Sequence, residues 1–254
     1  MSILNHEEAL KNKVFFTKKK WPHFNLLFND IKNIAKSYKN KNILFLERTN
    51  LYGGISLFSP FFLNNNHTIS VDCITEKILS RGSYNKKFVL DSNVIKIKSK
   101  FQFHYTNIKI KNNSADVVII PNLLHHVEFP EVVLKKSYSV LKKGGMIYIF
   151  EPLVRELHQI PEDYGRFTPS RLKTLLANVG FKKFVSRQIG GPFSCISYYW
   201  DQALQYLPVK KRNLYKKWFD KENKKLLKYD SIYKKNLVRL NSESPMAISM
   251  RAFK

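Results

Sequence analysis

The chain has 254 residues, 44% of them hydrophobic and 14% aromatic, which suffices for one large α/β domain and excludes a globally disordered chain. Lysine and arginine total 44 against 19 acids, a formal charge of +25; an anionic partner and compositional drift toward lysine both account for it, because the excess is spread through the chain. No stretch approaches the apolar length of a membrane span, residues 1–10 lack the apolar core of a signal peptide, and Cys73 and Cys195 form neither a disulfide framework nor a zinc motif, so a cytoplasmic protein is expected.

Over residues 21–38, Phe24, Leu27, Phe28, Ile31, Ile34 and Ala35 recur at helical spacing. Residues 42–46 are a short continuous apolar run, the mark of a strand buried on both faces of a parallel sheet. Gly53 and Gly54 follow as a turn, and 55–63 reads as an apolar helix. Residues 68–72 predict a second strand ending on Asp72, and 75–81 a short helix capped at or just before Thr75. A third strand is expected over 101–105, a turn at Asn112, Asn113 and Ser114, and a buried strand over 115–120. The amphipathic stretch 132–141 predicts a helix closed by Lys142, Lys143, Gly144 and Gly145. Residues 146–150 predict a buried strand stopped by Glu151 and Pro152, 169–179 a helix with Gly180 after it, and 181–188 a further strand. Residues 197–240 are aromatic, lysine-rich and helical by pattern, and 246–253 alternate as an edge strand does.

This alternation predicts an α/β fold: a Rossmann-like, mostly parallel sheet with helices on both faces, a final antiparallel edge strand and a helical insertion before it. The expected division is an N-terminal helical segment at 1–40, the main domain at 41–196 with 245–254, and the insertion at 197–244. Ligands of open α/β sheets bind beyond the carboxyl ends of the strands, which singles out Glu47 to Gly54, Asp72 and Cys73, the region of His104 and Tyr105, Asn122 to His126, and the segment after Glu151. Asp72 lies about twenty residues after the glycine turn, where an acid can accept both hydroxyls of a ribose. An acid after a strand is also a common helix cap.

The stretch from Ser114 through Asn122, Leu123, Leu124, His125 and His126, followed by Val140, Leu141, Lys142, Lys143, Gly144 and Gly145, resembles the fourth and fifth strands of class I S-adenosylmethionine-dependent methyltransferases, of the type 11 kind. The block from Leu157 through Asp163, Tyr164 and Arg166 to Phe181 is similar to the rim segment of a subset of that family. The resemblance implies S-adenosyl-L-methionine as cofactor, held by Glu47, Thr49, Asn50, Gly53, Gly54, Asp72, Cys73, Tyr105 and Asn122. It departs at the family's glycine motif, where Thr49 and Leu51 stand in place of two glycines and only Gly53 fits. Those glycines admit the cofactor to the backbone. The departure leaves two accounts open: a methyltransferase acting on a small-molecule or glycan acceptor at oxygen or nitrogen, or a catalytically inactive, methyltransferase-like binding module for an anionic partner.

Methyl transfer needs a general base only when the acceptor must lose a proton. His125, His126 and His158 are the candidates for that role, and Asp163, Tyr164 and Arg166 are candidates for a substrate lid, with a Tyr/Arg pair either holding a sugar or phosphate or locking the lid down. No metal is expected, because adjacent histidines on one turn rarely point to one ion and no third ligand is apparent. The aromatics Tyr198, Tyr199, Trp200, Tyr206, Trp218 and Tyr229, interleaved with lysines, read either as a polyanion surface or as the core side of a helical cap.

Overall fold

A computed structural model describes residues 22–49, 54–63, 66–75, 95–230 and 244–254. The helix expected at 75–81 lies outside the described residues from 76 on, as do the loop residues Asn50, Leu51 and Gly53.

Among the described elements, the helix α1 (Pro22–Ala35) leads into β1 (Asn42–Glu47). Next come β2 (Ile55–Ser56), a 3-10 turn at Ser59–Phe62, β3 (His67–Ile74), β4 (Ile97–Lys98), β5 (Phe101–His104) and a 3-10 turn at Tyr105–Asn107. The strand β6 (Ala115–Pro121), a 3-10 turn at Leu124–His126, α2 (Pro130–Val140) and β7 (Leu141–Pro152) follow, then α3 (Pro169–Val179) and β8 (Lys182–Ile189). The helices α4 (Pro192–Leu204) and α5 (Val209–Leu226) precede β9 (Ala247–Phe253). Seven strands form one sheet in the order β5-β3-β1-β6-β7-β9-β8; β2 and β4 form a separate antiparallel ribbon.

The apolar runs place β1, β6 and β7 at the centre because both of their faces need cover. Leu44, Leu46, Val118, Ile120, Ile147 and Ile149 pack in one core with α2 and α3. Their neighbours Ile43, Phe45, Val117, Ile119, Tyr148 and Phe150 pack in the other, against α1 and the Ser59–Phe62 turn. There Phe28 meets Phe61 edge-on at 4.7 Å. Each end of α3 is built as expected: Thr168 accepts the Arg171 N–H, and Gly180 turns the chain out at φ 111°. The pair α4–α5 packs through Trp200, whose ring lies 5.8 Å from Phe219 and 5.7 Å from Trp218. Among the described residues no helix is long and apolar enough to cross a membrane.

Three local expectations are corrected. Residues 55–63 form no continuous helix: Ile55 and Ser56 pair with Lys98 and Ile97, and Pro60, which lacks an N–H, starts a 3-10 turn instead. Lys142 to Gly145 do not close α2. The chain is extended from Leu141 on, and the glycine pair serves a close approach in which Gly144 N–H donates to Lys254 and Gly145 accepts from it. A Cβ on Gly145 would lie 2.9 Å from the Lys142 carbonyl oxygen. Finally, β9 runs antiparallel as expected, but it lies between β7 and β8, so the edge strand is β8. Its residues Ile248, Met250 and Ala252 are buried, as an inner strand requires.

Candidate active site

The parallel strands β1, β3, β6 and β7 release their carboxyl ends on one edge of the sheet. Glu47 and Asp72 are register partners there. Glu47 Oε1 accepts from Ser56 and, at 2.8 Å, from Ser70. Asp72 accepts the Thr49 N–H at 2.8 Å on one oxygen and Gln102 at 3.2 Å on the other. Ser99 joins the set by pairing with both Thr49 and Ser70 at 2.9 Å. The loop is closed by Gly54 N–H donating to the Thr49 carbonyl at 2.8 Å, and Gly54 takes φ 77°, a region open to glycine.

Burial pushes the Glu47 carboxyl up to about 7; the Ser56 and Ser70 hydroxyls pull it back, and the Asp72 charge adds to the rise. In the unfolded chain the group ionises near 4.5. The folded state therefore holds the proton more tightly, its stabilisation is complete below pH 4.5, and it is lost as pH rises through 7. A Glu47→Gln variant is expected to flatten this fall, on the order of 3 kcal/mol for such a shift, and to gain on the wild type at pH 8. Thermal unfolding of both proteins from pH 5 to pH 8 checks it; parallel curves would refute the assignment.

The second half of the site lies at the ends of β6 and β7. Glu151, wholly buried, accepts the backbone N–H groups of Leu123, Leu124 and His125 at 2.9, 2.7 and 3.2 Å, and His125 Nδ1 at 2.6 Å. His126 Nδ1 is 2.7 Å from the Glu162 carbonyl, and His158 Nδ1 is 3.0 Å from the Glu156 carbonyl. Burial holds all three histidines below their ordinary pKa, His126 far below and His158 down to about 3. Asn122 sits at φ 60° just past β6, its side-chain oxygen buried and without a hydrogen-bond partner among the described residues.

The segment between β7 and α3 is tied down over these strand ends. Arg48 donates to Gln159 at 2.7 Å and pairs with Glu162 at 3.1 Å, both charged side chains being buried. Thr75 donates to the same Glu162 carboxylate at 2.6 Å, and Tyr164 N–H donates to the His125 carbonyl at 2.8 Å. Arg166 clasps Asp163 with two nitrogens and also donates to the Glu156 and Gly165 carbonyls. Although burial raises the Asp163 carboxyl, the Arg166 and His158 hydrogen bonds leave it below its ordinary value.

The sequence-derived residues divide accordingly. Glu47, Thr49, Gly54 and Asp72 gather at one end of the row; Asn122, His125, His126 and His158 gather at the other. Asn50 and Gly53 lie outside the described residues. The side chains of Cys73 and Tyr105 are buried in the core that α2 covers. Arg166 and Asp163 anchor the rim internally, while the Tyr164 ring is exposed. Sequence reasoning assigned no site role to Arg48, Thr75, Glu151 and Glu162, whose partners are remote in the chain.

Residues 64–149, from just before β3 into β7, match the family model described as a methyltransferase domain. No curated protein matches the sequence. Among solved structures, the chain resembles a SAM-dependent methyltransferase from Thermotoga maritima at 12% identity and TM-score 0.51, with 100% of each chain covered. It also resembles phosphoethanolamine N-methyltransferase 2 of Haemonchus contortus in complex with S-adenosyl-L-methionine, at 15% identity and TM-score 0.51, where 100% of this chain covers 60% of that one. At these identities the likeness speaks for the fold. The match over 64–149 is to a methyltransferase domain, and the fold that continues it through β9 is that of the S-adenosylmethionine-dependent methyltransferase it resembles.

Proposed function

We propose that the chain transfers the methyl group of S-adenosylmethionine to an oxygen or nitrogen of a small-molecule or glycan acceptor. The observation that carries this is one row of strand ends with two kinds of group along it. At one end stand the paired acids Glu47 and Asp72. At the other, Asn122 Oδ1 and His125 Nε2 are buried polar atoms with no hydrogen-bond partner among the described residues. Such atoms are unusual in a folded chain and are normally satisfied by a ligand or water.

The residues suit the cofactor. Asp72, which accepts Thr49 N–H and Gln102, stands on the carboxyl side of the sheet where an acid can meet the hydroxyls of a ribose. Thr49 and Gly54 frame the loop beside Asp72, and Asn122 supplies an amide. S-adenosylmethionine, when bound, supplies a methyl carbon activated by a sulfonium. The chain's own part is to orient the acceptor, exclude water and receive a proton. The rim held by Arg48–Glu162 and Arg166–Asp163 covers the strand ends, and Tyr164 is among its exposed side chains. The acceptor's proton is handled by the cluster of His125, His126 and His158, neutral at pH 7 and oriented by Glu151 and two carbonyls.

Calorimetric titration with S-adenosylmethionine and its demethylated product tests the reading. Both are expected to bind, and Asp72→Ala to weaken them roughly 10- to 100-fold, the value of hydrogen bonds to a charged group. No binding of either at millimolar concentration would leave the non-catalytic binding module as the function.

A further inference from the structure

We propose that His125, His126 and His158 together bind one zinc-class divalent cation, leaving its fourth position for water or an acceptor atom. This goes beyond methyl transfer and rests on that reading only for the acceptor.

One ring nitrogen of each histidine lies within 4.8 Å of the other two. The ring centroids of His125 and His126 are 3.8 Å apart, and His158 stands 5.4 and 4.9 Å from them. The sequence offered no third ligand, because His158 comes from the rim after β7. It also discouraged convergence of two adjacent histidines. Both objections fall for one physical reason: each ring is turned by a separate acceptor, His125 by Glu151 and His126 by the Glu162 carbonyl.

Those acceptors also fix the protons. The Glu156 and Glu162 carbonyls can only accept, so Nδ1 carries the hydrogen in His158 and His126. Glu151 already takes three backbone N–H groups and accepts from His125 Nδ1 in the same way. The lone pair of every ring is therefore on Nε2. In His125 that atom is buried and unpartnered among the described residues. Imidazoles that donate one nitrogen to a carboxylate or carbonyl and offer the other are how histidines ligate metals.

The charge balance agrees. Arg48, Arg155 and Arg166 lie close by, but each is paired with a carboxylate, Glu162, Glu156 and Asp163 respectively. Glu151 is the further anion, and its partners are N–H groups rather than an arginine or lysine. Three neutral imidazoles suit zinc, and three protein ligands with a fourth position open is the pattern of catalytic zinc. Tetrahedral bonds of zinc–imidazole length put the nitrogens about 3.3 Å apart, so the cluster must draw in, which His158 on the rim can do. With every Nε2 on the ion the rings themselves take no proton; a hydroxyl held at the fourth position would instead be made more acidic by the ion and would release its proton to water.

The test is zinc and cobalt titration of the full chain, stripped with chelator and free of cofactor, so that failure to bind S-adenosylmethionine leaves the result readable. The wild type is expected to take up one equivalent of zinc with Kd below ~1 µM and to melt higher with zinc present. His158→Ala should weaken uptake about 100-fold, at least as much as loss of an outer-shell partner does, while His67→Gln, on the exposed start of β3, should match the wild type. Cobalt should give the visible bands of a four-coordinate nitrogen site in the wild type; this reading stands alone if His158→Ala fails to fold. Wild-type uptake that His158→Ala does not reduce, no uptake at all, or no such cobalt bands would overturn the proposal.

Discussion

Replacing Glu151 with alanine is expected to destabilise the protein by about 4 kcal/mol, taking about 1 kcal/mol for each of four buried N–H donors left without an acceptor. Those donors are the Leu123, Leu124 and His125 backbones and the His125 ring. All four sit in a turn where Leu123, Leu124 and His125 are wholly buried, so water cannot replace the carboxylate without opening the turn. For a chain of this size the loss corresponds to a fall in Tm of roughly 8–16 °C. Glu151→Gln separates the two tasks of the residue. Its carbonyl can keep one pair of donors, so less stability is lost, but its amide turned toward His125 donates to Nδ1 and moves the ring proton to Nε2. The glutamine variant should therefore fold and yet lose whatever depends on the Nε2 lone pair. Thermal unfolding of both variants checks the first claim, and an alanine variant within 1 kcal/mol of wild type would refute it.

How far the sequence disclosed this site depends on how local each signal is. The strands β1, β6 and β7 are legible because a continuous apolar run has no other economical use than burial between two layers. Asp72 is legible as a residue of the second parallel strand, although β3 runs on to Ile74. Cys73 shows that a residue next to Asp72 in sequence need not share its face of the sheet. Successive residues of a strand face opposite ways, so if Asp72 faces Glu47, Cys73 must enter the core. The glycines at 144 and 145 suited a helix end equally well, and only their approach to Lys254 decides their use. Glu151, Glu162 and Arg48 were beyond reach for a different reason. A buried charge is explained by its partner, and these partners are brought together by the parallel order of the sheet rather than by any spacing along the chain.

Breaking the Arg48–Glu162 pair should have the other large effect. With both side chains buried, Arg48→Ala leaves the Glu162 carboxylate without its guanidinium, and the expected loss is about 3–5 kcal/mol. Much of that is the penalty for an uncompensated charge rather than the worth of the pair, so the double variant Arg48→Met with Glu162→Gln should recover most of it. The pair also joins the end of β1 to the rim, with Thr75 adding the end of β3 through the same carboxylate. Its loss should therefore be felt locally. Leu157 and Ile160, exposed on the rim at 75% and 60%, should be cut by protease sooner in Arg48→Ala than in the wild type, and the double variant should restore resistance. A rim that stays equally resistant in Arg48→Ala would mean that Arg166–Asp163 and the Tyr164–His125 backbone bond hold it unaided. The stability loss would then report on the buried charge alone.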